Sequence, residues 1–331
     1  MALGLNTACI YIGLTIAPAI GGYITDNFGW KMVLFIPAPL ACLLIVTLLT
    51  FIKTDWKRSQ HSPFDWLGAL TFSLWAFLLI IAVRDLPSGE SIICLIFSVA
   101  TLCFFLWQQS RTSEPLIKLK LFQHSKVFSL SLATAVLMYA SSYPIGFLLS
   151  LYLQYIKGID AFQTGQIMLT QALGMALLAP FAGKFSDHIE ARVLTTIGCL
   201  IVASGFAFLS QLNADTSTST ISASLFCIGV GFGLFSTPNT NAVLSTVDNN
   251  DIGVASATIN LARVIGNLIG ISLINLLVHL MIGDQPINPS NFPQLLTTLN
   301  WALSISCCFV IIASLLSANR GKVGSLHTRV L

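Results

Sequence analysis

Arg263 is the one basic residue of this 331-residue chain placed well inside a long apolar run, nine residues past Val254 in the stretch around LARVIGNLIG. Nine residues of helix are about 14 Å, a depth at which a charge in lipid is costly and commonly functional. Two readings are open: a guanidinium that lines a central cavity or braces its helix, and a side chain that snorkels to the interface. Acid chemistry is thinner still. The carboxylates Asp26, Asp55, Asp65, Asp85, Glu90, Glu114, Asp160, Asp187, Glu190, Asp215, Asp248, Asp251 and Asp284 all map to loops or ends of apolar runs. Asn239 and Asn241, after Pro238, and Gln166 and Gln171 lie within such runs. They could hydrogen-bond across helices or line a cavity. His279 falls near the end of its run and reads as interfacial. The His61–Asp65 spacing has no nucleophile or metal partner nearby and defines no site. Eight cysteines sit in apolar runs without a C-x-x-C or Cys/His cluster, so they behave as small hydrophobes. No metal, no cofactor and no catalytic constellation is expected, and hence no enzyme.

The elements that must position these residues are set by solvent. The chain is 55% hydrophobic and 9% charged, against about 25% charged in soluble domains. A helix crosses a bilayer with about 20 apolar residues. Ten stretches satisfy this, near 3–24, 32–52, 66–83, 91–108, 127–153, 162–182, 193–211, 219–244, 254–282 and 299–317. The first reads as a retained helix rather than a cleaved signal, since it lacks a basic leading region. The expected fold is an all-α membrane protein, a polytopic helical bundle of about ten transmembrane helices. Loops on one side carry Lys53, Lys57, Arg58, Arg111, Lys118, Lys120, Lys126, Lys184, Arg192, Arg320, Lys322 and Arg329; the other side carries Lys31, Arg84 and Lys157. The excess of Lys and Arg belongs in the cytoplasm, which places both termini there. Trp30, Trp56, Trp66, Trp107 and Trp301 fall near span ends, as an aromatic belt requires. The net charge of +3 implies no nucleic-acid partner.

The first span has Gly4, Gly13, Ala17, Pro18, Gly21 and Gly22 in the spacing G-x8-G-x3-A-P-x2-G-G. This resembles the antiporter motif G-x8-G-x3-G-P-x2-G-G on the fifth span of drug:proton antiporters of the major facilitator superfamily, with Ala17 in place of one glycine. Small residues let helices approach closely, so these six positions are expected to be packing residues. FDWLGA from Phe64 resembles the entry to the seventh span of the 14-span members, and SEPLIKLKLF from Ser113 their loop before the ninth. LYLQYIKGIDAFQTG from Leu151 resembles the join of their ninth and tenth spans. GVGFGLFSTPNTNAV and GVASATINLARVIGNLIG resemble spans twelve and thirteen. GKFSDHIEAR from Gly183 is similar to the cytoplasmic loop motif G-x3-D-x2-G-R-[RK]. Gly183 and Asp187 match, Glu190 replaces the glycine, and Arg192 sits one place late. On spacing alone Asp187 is equally an N-cap; the resemblance makes Gly183, Asp187 and Arg192 a conformational latch.

The resemblance implies a major facilitator fold lacking part of its N-terminal half, because it begins at the fifth of fourteen spans. On that basis residues 1–53 are the last two helices of the N-terminal half. Residues 54–126 are two extra linker helices with cytoplasmic loops, 127–318 the six-helix C-terminal half, and 319–331 a cytoplasmic tail. It implies proton-coupled efflux of drugs or other small organic compounds by alternating access, in the inner (cytoplasmic) membrane. The partners would be the lipid bilayer, a small organic substrate and protons. The alternative is a truncated, transport-incompetent remnant, or a half that needs missing N-terminal helices from another chain. Arg263, Asn239, Asn241, Gln166 and Gln171 are then the candidates for a substrate cavity.

Overall fold

The computed structural model describes residues 13, 20–21, 23–25, 28–51, 64–84, 88–113, 115–186, 189–248, 251–283 and 285–321. Nine segments among the described residues are long and apolar enough to cross a membrane. Their helices are α1 (Pro37–Phe51), α2 (Trp66–Arg84), α3 (Gly89–Arg111), α4 (Lys126–Pro144, continued to Ile156), α5 (Ala161–Phe185), α6 (Ala191–Leu209), α7 (Thr218–Leu244), α8 (Ile252–Met281) and α9 (Phe292–Asn319). The span expected at 3–24 lies largely outside the described residues, although Gly13, Ile20, Gly21 and Tyr23–Thr25 are helical.

Local chemistry places the starts. Ser88, Ser125, Asp160 and Ser217 stand just before α3, α4, α5 and α7, and each side chain accepts from a backbone N–H in the first turn. Such a cap contributes about 1 kcal/mol. The span expected at 32–52 is broken at 34–36. Pro37 lacks an N–H and is suited only to a helix start, so a short turn at Trp30–Val33 precedes α1. Helix α9 starts seven residues before the expected 299, because Pro293 fits its first turn. Within α4, Pro144 is followed by two π-helical stretches, Ile145–Leu149 and Tyr152–Ile156. A proline interrupts the i→i−4 ladder, and a wider turn absorbs the mismatch.

Helices α4–α9 share one core that includes Phe128, Met138, Phe206, Phe232, Phe235 and Leu303. Helix α7 packs between α5 and α6, α8 lies on α4, and α9 bridges α4 and α6. The glycines of GVGFG make α7 the narrow centre. A Cβ on Gly229 would collide with the Gln171 carbonyl of α5, and one on Gly231 would come within 2.6 Å of the Gly198 carbonyl of α6. Both faces of α7 therefore meet a neighbour at backbone distance, as small residues permit in lipid. Helices α2 and α3 pair as a hairpin around Trp75 and Phe105 and touch α8. There Asn275 Nδ2 donates to the Val83 carbonyl at 3.3 Å. Helix α1 has no buried residue.

Candidate functional site

The middle of the bundle is organised by the seam between α4 and α8. A Cβ on Gly266 would lie 2.5 Å from the Val136 carbonyl, and one on Gly270 2.6 Å from the Ala140 carbonyl. Any larger side chain would part the helices. The close approach brings α8 against the Cβ atoms of Tyr139 and Tyr143. Arg263 precedes Gly266 by about one turn, and its guanidinium carbon sits 5.4 Å from the Tyr139 ring centroid. The Tyr139 ring in turn packs edge-on against Phe232 (6.2 Å) and Phe235 (6.5 Å) of α7. Arg263 lies eleven residues into α8, about 16 Å along its axis. Its guanidinium lies over a half-buried ring of α4. Arg263 Nε is buried without a hydrogen-bond partner, and among the described residues no carboxylate pairs with it. A cation near the centre of a membrane helix costs about 2.5–3.5 kcal/mol, and a cation–π contact returns about 0.5–2. The ring offsets part of the cost, and the N–H donors remain unused.

A second polar cluster lies where α4, α6 and α8 begin and α7 and α9 end. Its centre is Arg320, one of the basic residues on the side assigned to the cytoplasm, which is buried at 1% exposure. It caps α9 and points back into the bundle, where Nη1 donates to Ser131 Oγ (3.0 Å) and Asn239 Oδ1 (2.9 Å) and Nη2 to Thr195 Oγ1 (3.0 Å). These partners come from α4, α7 and α6. Asn239 also donates to the Ser131 carbonyl at 3.1 Å. Gly321, at φ 89°, then turns the chain away in the left-handed conformation that commonly ends helices. Burial pushes the guanidinium down to about 10, so it remains cationic at neutral pH. No residue pattern near ANRG in the sequence foretells an inward-pointing arginine; only the assembled helices supply its three acceptors.

The other candidate residues are dispersed. Asn239 belongs to the Arg320 cluster. Asn241 Nδ2 donates to Ser186 Oγ at 3.3 Å, tying the ends of α7 and α5. The Gln171 carbonyl is the surface that Gly229 packs on. Gln166 lines an open cleft of about 510 Å³ with Gln163, Thr218, Ser219 and Ser222, at the opposite ends of α5 and α7. Gly183 is in the last turn of α5, and Arg192 pairs with Glu190 at 3.2 Å. Asp187, the third member of the expected latch, lies outside the described residues. So do Gly4, Ala17, Pro18 and Gly22 of the glycine motif. At Gly13 and Gly21 a Cβ would meet nothing within 4 Å among the described residues. Lys118 joins Asp251 at 2.6 Å, a contact between the loop before α4 and the start of α8 that sequence alone did not indicate.

Nine apolar helices among the described residues, packed through glycines at backbone distance, define a polytopic α-helical membrane protein. The chain belongs to the Major Facilitator Superfamily: residues 1–271 match the sequence model of that family. It is 27% identical over 287 residues to the uncharacterized transporter YebQ of Escherichia coli, covering 86% of this chain and 62% of that protein. It is 27% identical to the multidrug resistance protein Stp of Mycobacterium tuberculosis, covering 82% and 51%. To the riboflavin transporter RibZ of Clostridioides difficile it is again 27% identical, covering 74% and 54%. The chain thus spans 51 to 62% of the length of these relatives. A bacterial homolog of the human lysosomal transporter Spinster, in an inward-facing, unoccupied conformation, overlaps 76% of this chain and 66% of its own at a TM-score of 0.48 and 14% identity.

Proposed function

We propose that this chain works in proton-coupled efflux of drugs or other small organic compounds by alternating access, as a multi-pass protein of the inner membrane with both termini in the cytoplasm. The observation that carries the reading is the match to the multidrug resistance protein Stp across 82% of the chain. The match to a riboflavin transporter at the same identity supports a small organic substrate without naming it. In this reading the Arg263–Tyr139 seam faces the substrate path. Gly183, Asp187 and Arg192 bias the inward–outward equilibrium through contacts made in one state only. Residues 127–318 act as one rocking half, 1–53 as part of the other, with the linker pair 54–126 between them and 319–331 as the tail.

A second reading is that the 331 residues by themselves do not transport. Helix α1 buries no residue, Gly13 and Gly21 meet nothing within 4 Å among the described residues, and alternating access needs two halves that move about a central site. In addition, none of the described carboxylates sits in mid-span to carry a proton. The other half and a mid-span acid would then come from outside these 331 residues, for example from a separate N-terminal partner.

One experiment separates the readings. The chain is expressed in an efflux-deficient bacterial host, and extrusion of a fluorescent dye is followed with and without a protonophore. Extrusion that collapses with the proton gradient supports efflux by this chain. Its absence, with the protein shown to be inserted, supports the second reading.

A further inference from the structure

We infer that Arg263 and Tyr139 form the recognition point for an organic anion, a carboxylate or sulfonate borne on an aromatic or apolar body. This rests on the reading of the chain as part of a transporter of small organic compounds, and it names the substrate class. The Arg263 guanidinium has one face on the Tyr139 ring, while its buried Nε has no hydrogen-bond partner among the described residues. No carboxylate among the described residues pairs with it. A guanidinium stacked on a ring with its donors unmatched is suited to a planar oxyanion, which accepts two parallel N–H bonds. Gly266 and Gly270 hold α8 at backbone distance from α4, which sets the guanidinium beside the Tyr139 ring.

The surroundings select for an apolar body. Phe232 and Phe235 close off the Tyr139 ring from behind. Tyr143, one turn further along α4 on the same seam, is 39% exposed and offers a ring for a ligand to lie on. A lipophilic cation placed here would meet the Arg263 charge with no described carboxylate between them. The seam therefore discriminates by charge sign, beyond size and hydrophobicity.

The test uses the full 331-residue chain in nanodiscs of zwitterionic lipid, with empty nanodiscs subtracted. Two fluorophores are titrated: 8-anilino-1-naphthalenesulfonate and N-phenyl-1-naphthylamine, the same ring system without the sulfonate. Arg263→Gln is expected to weaken the sulfonate about tenfold and to leave the uncharged amine within about twofold of wild type. Equal losses for the two probes, or no loss for the sulfonate, would overturn the proposal. A measurement on the wild type alone stands should the variant not fold: benzoate should displace the bound sulfonate and benzyltrimethylammonium should not. Displacement by the cation overturns the proposal as well. Repeating the titration with phosphatidylglycerol in the nanodisc separates a free anion from a lipid headgroup. Sulfonate affinity that the lipid lowers in wild type but not in Arg263→Gln would assign the seam to lipid phosphate and sink the substrate reading; equal effects in both proteins support a free anion. These are binding measurements, so their failure leaves the efflux proposal standing, and a failed efflux assay leaves the binding result standing.

Discussion

Replacing Arg320 with alanine would remove three hydrogen bonds donated by a buried cation to Ser131, Asn239 and Thr195. Bonds to charged groups are worth about 1.5–3 kcal/mol each, and burying the guanidinium costs several kcal/mol in return. Some partners keep other contacts: Thr195 Oγ1 still donates to the Ala191 carbonyl, and Asn239 to that of Ser131. We predict a net loss of about 2–4 kcal/mol. In a bundle the size of α4–α9 that lowers the melting temperature by roughly 5–15 °C. The assay is thermal unfolding of purified protein in detergent. Arg192→Ala serves as the control, since Arg192 and Glu190 form a half-exposed pair worth at most about 1 kcal/mol. The difference between wild type and Arg320→Ala should also be flat between about pH 6 and 9. Burial on folding lowers the Arg320 pKa to about 10. The unfolded state therefore binds more protons only from about that pH upward, where stability rises with pH. A melting temperature for Arg320→Ala equal to that of Arg192→Ala would refute the buried pin. A gap that changes through neutral pH would assign the effect to a different group.

Three further outcomes are expected. Gly229→Leu should lower folded yield and melting temperature far more than Gly253→Leu, because the first forces a side chain into the Gln171 carbonyl and the second meets open space. Overpacking commonly costs about 1–3 kcal/mol, and equal effects would show that α5 and α7 are not in backbone contact. Asp65→Ala should loosen the α2–α3 hairpin. The Asp65 carboxylate accepts from Gly68 N and from the side chains of Gln108 and Gln109, and Gln109 in turn accepts from Ile117 N. Faster trypsin cleavage between Arg111 and Lys120 is the readout, and an unchanged rate would count against the network. Single cysteines introduced at Asp160 or Asp215 into a cysteine-free background should react with an impermeant thiol reagent from outside intact cells, while one at Lys120 should not. The reverse pattern would invert the proposed orientation.

The class of protein was legible from composition, because a chain with so few charges and so many apolar runs of spanning length has only lipid as a workable solvent. The approximate places of the spans were legible for the same reason, and the caps at Ser88, Ser125, Asp160 and Ser217 came from the structure, where each short polar side chain accepts from the first turn it adjoins. Arg263 stood out for a similarly local reason, a charge in the wrong solvent, and its depth followed from counting residues. The family resemblance was carried by spaced glycines and loop motifs, which encode packing and turns within a single segment.

What the sequence could not decide was which polar residues share a neighbourhood. Asn239 reads as a cavity residue beside Pro238, yet it serves a guanidinium that arrives from α9, 81 residues away. Arg320 reads as one of many basic residues near a terminus, and burial is a property of the four helices that enclose it. The partner of Arg263 is a tyrosine on α4, and the pairing depends on Gly266 and Gly270 letting two backbones touch. Sequence alone therefore determined solvent, the rough places of the spans and the residues whose chemistry is out of place, since these depend on short windows of chain. Tertiary structure alone decided which of them meet, because a contact between α4, α6, α7 and α9 is set by the packing of whole helices and leaves no trace in the spacing along any one of them.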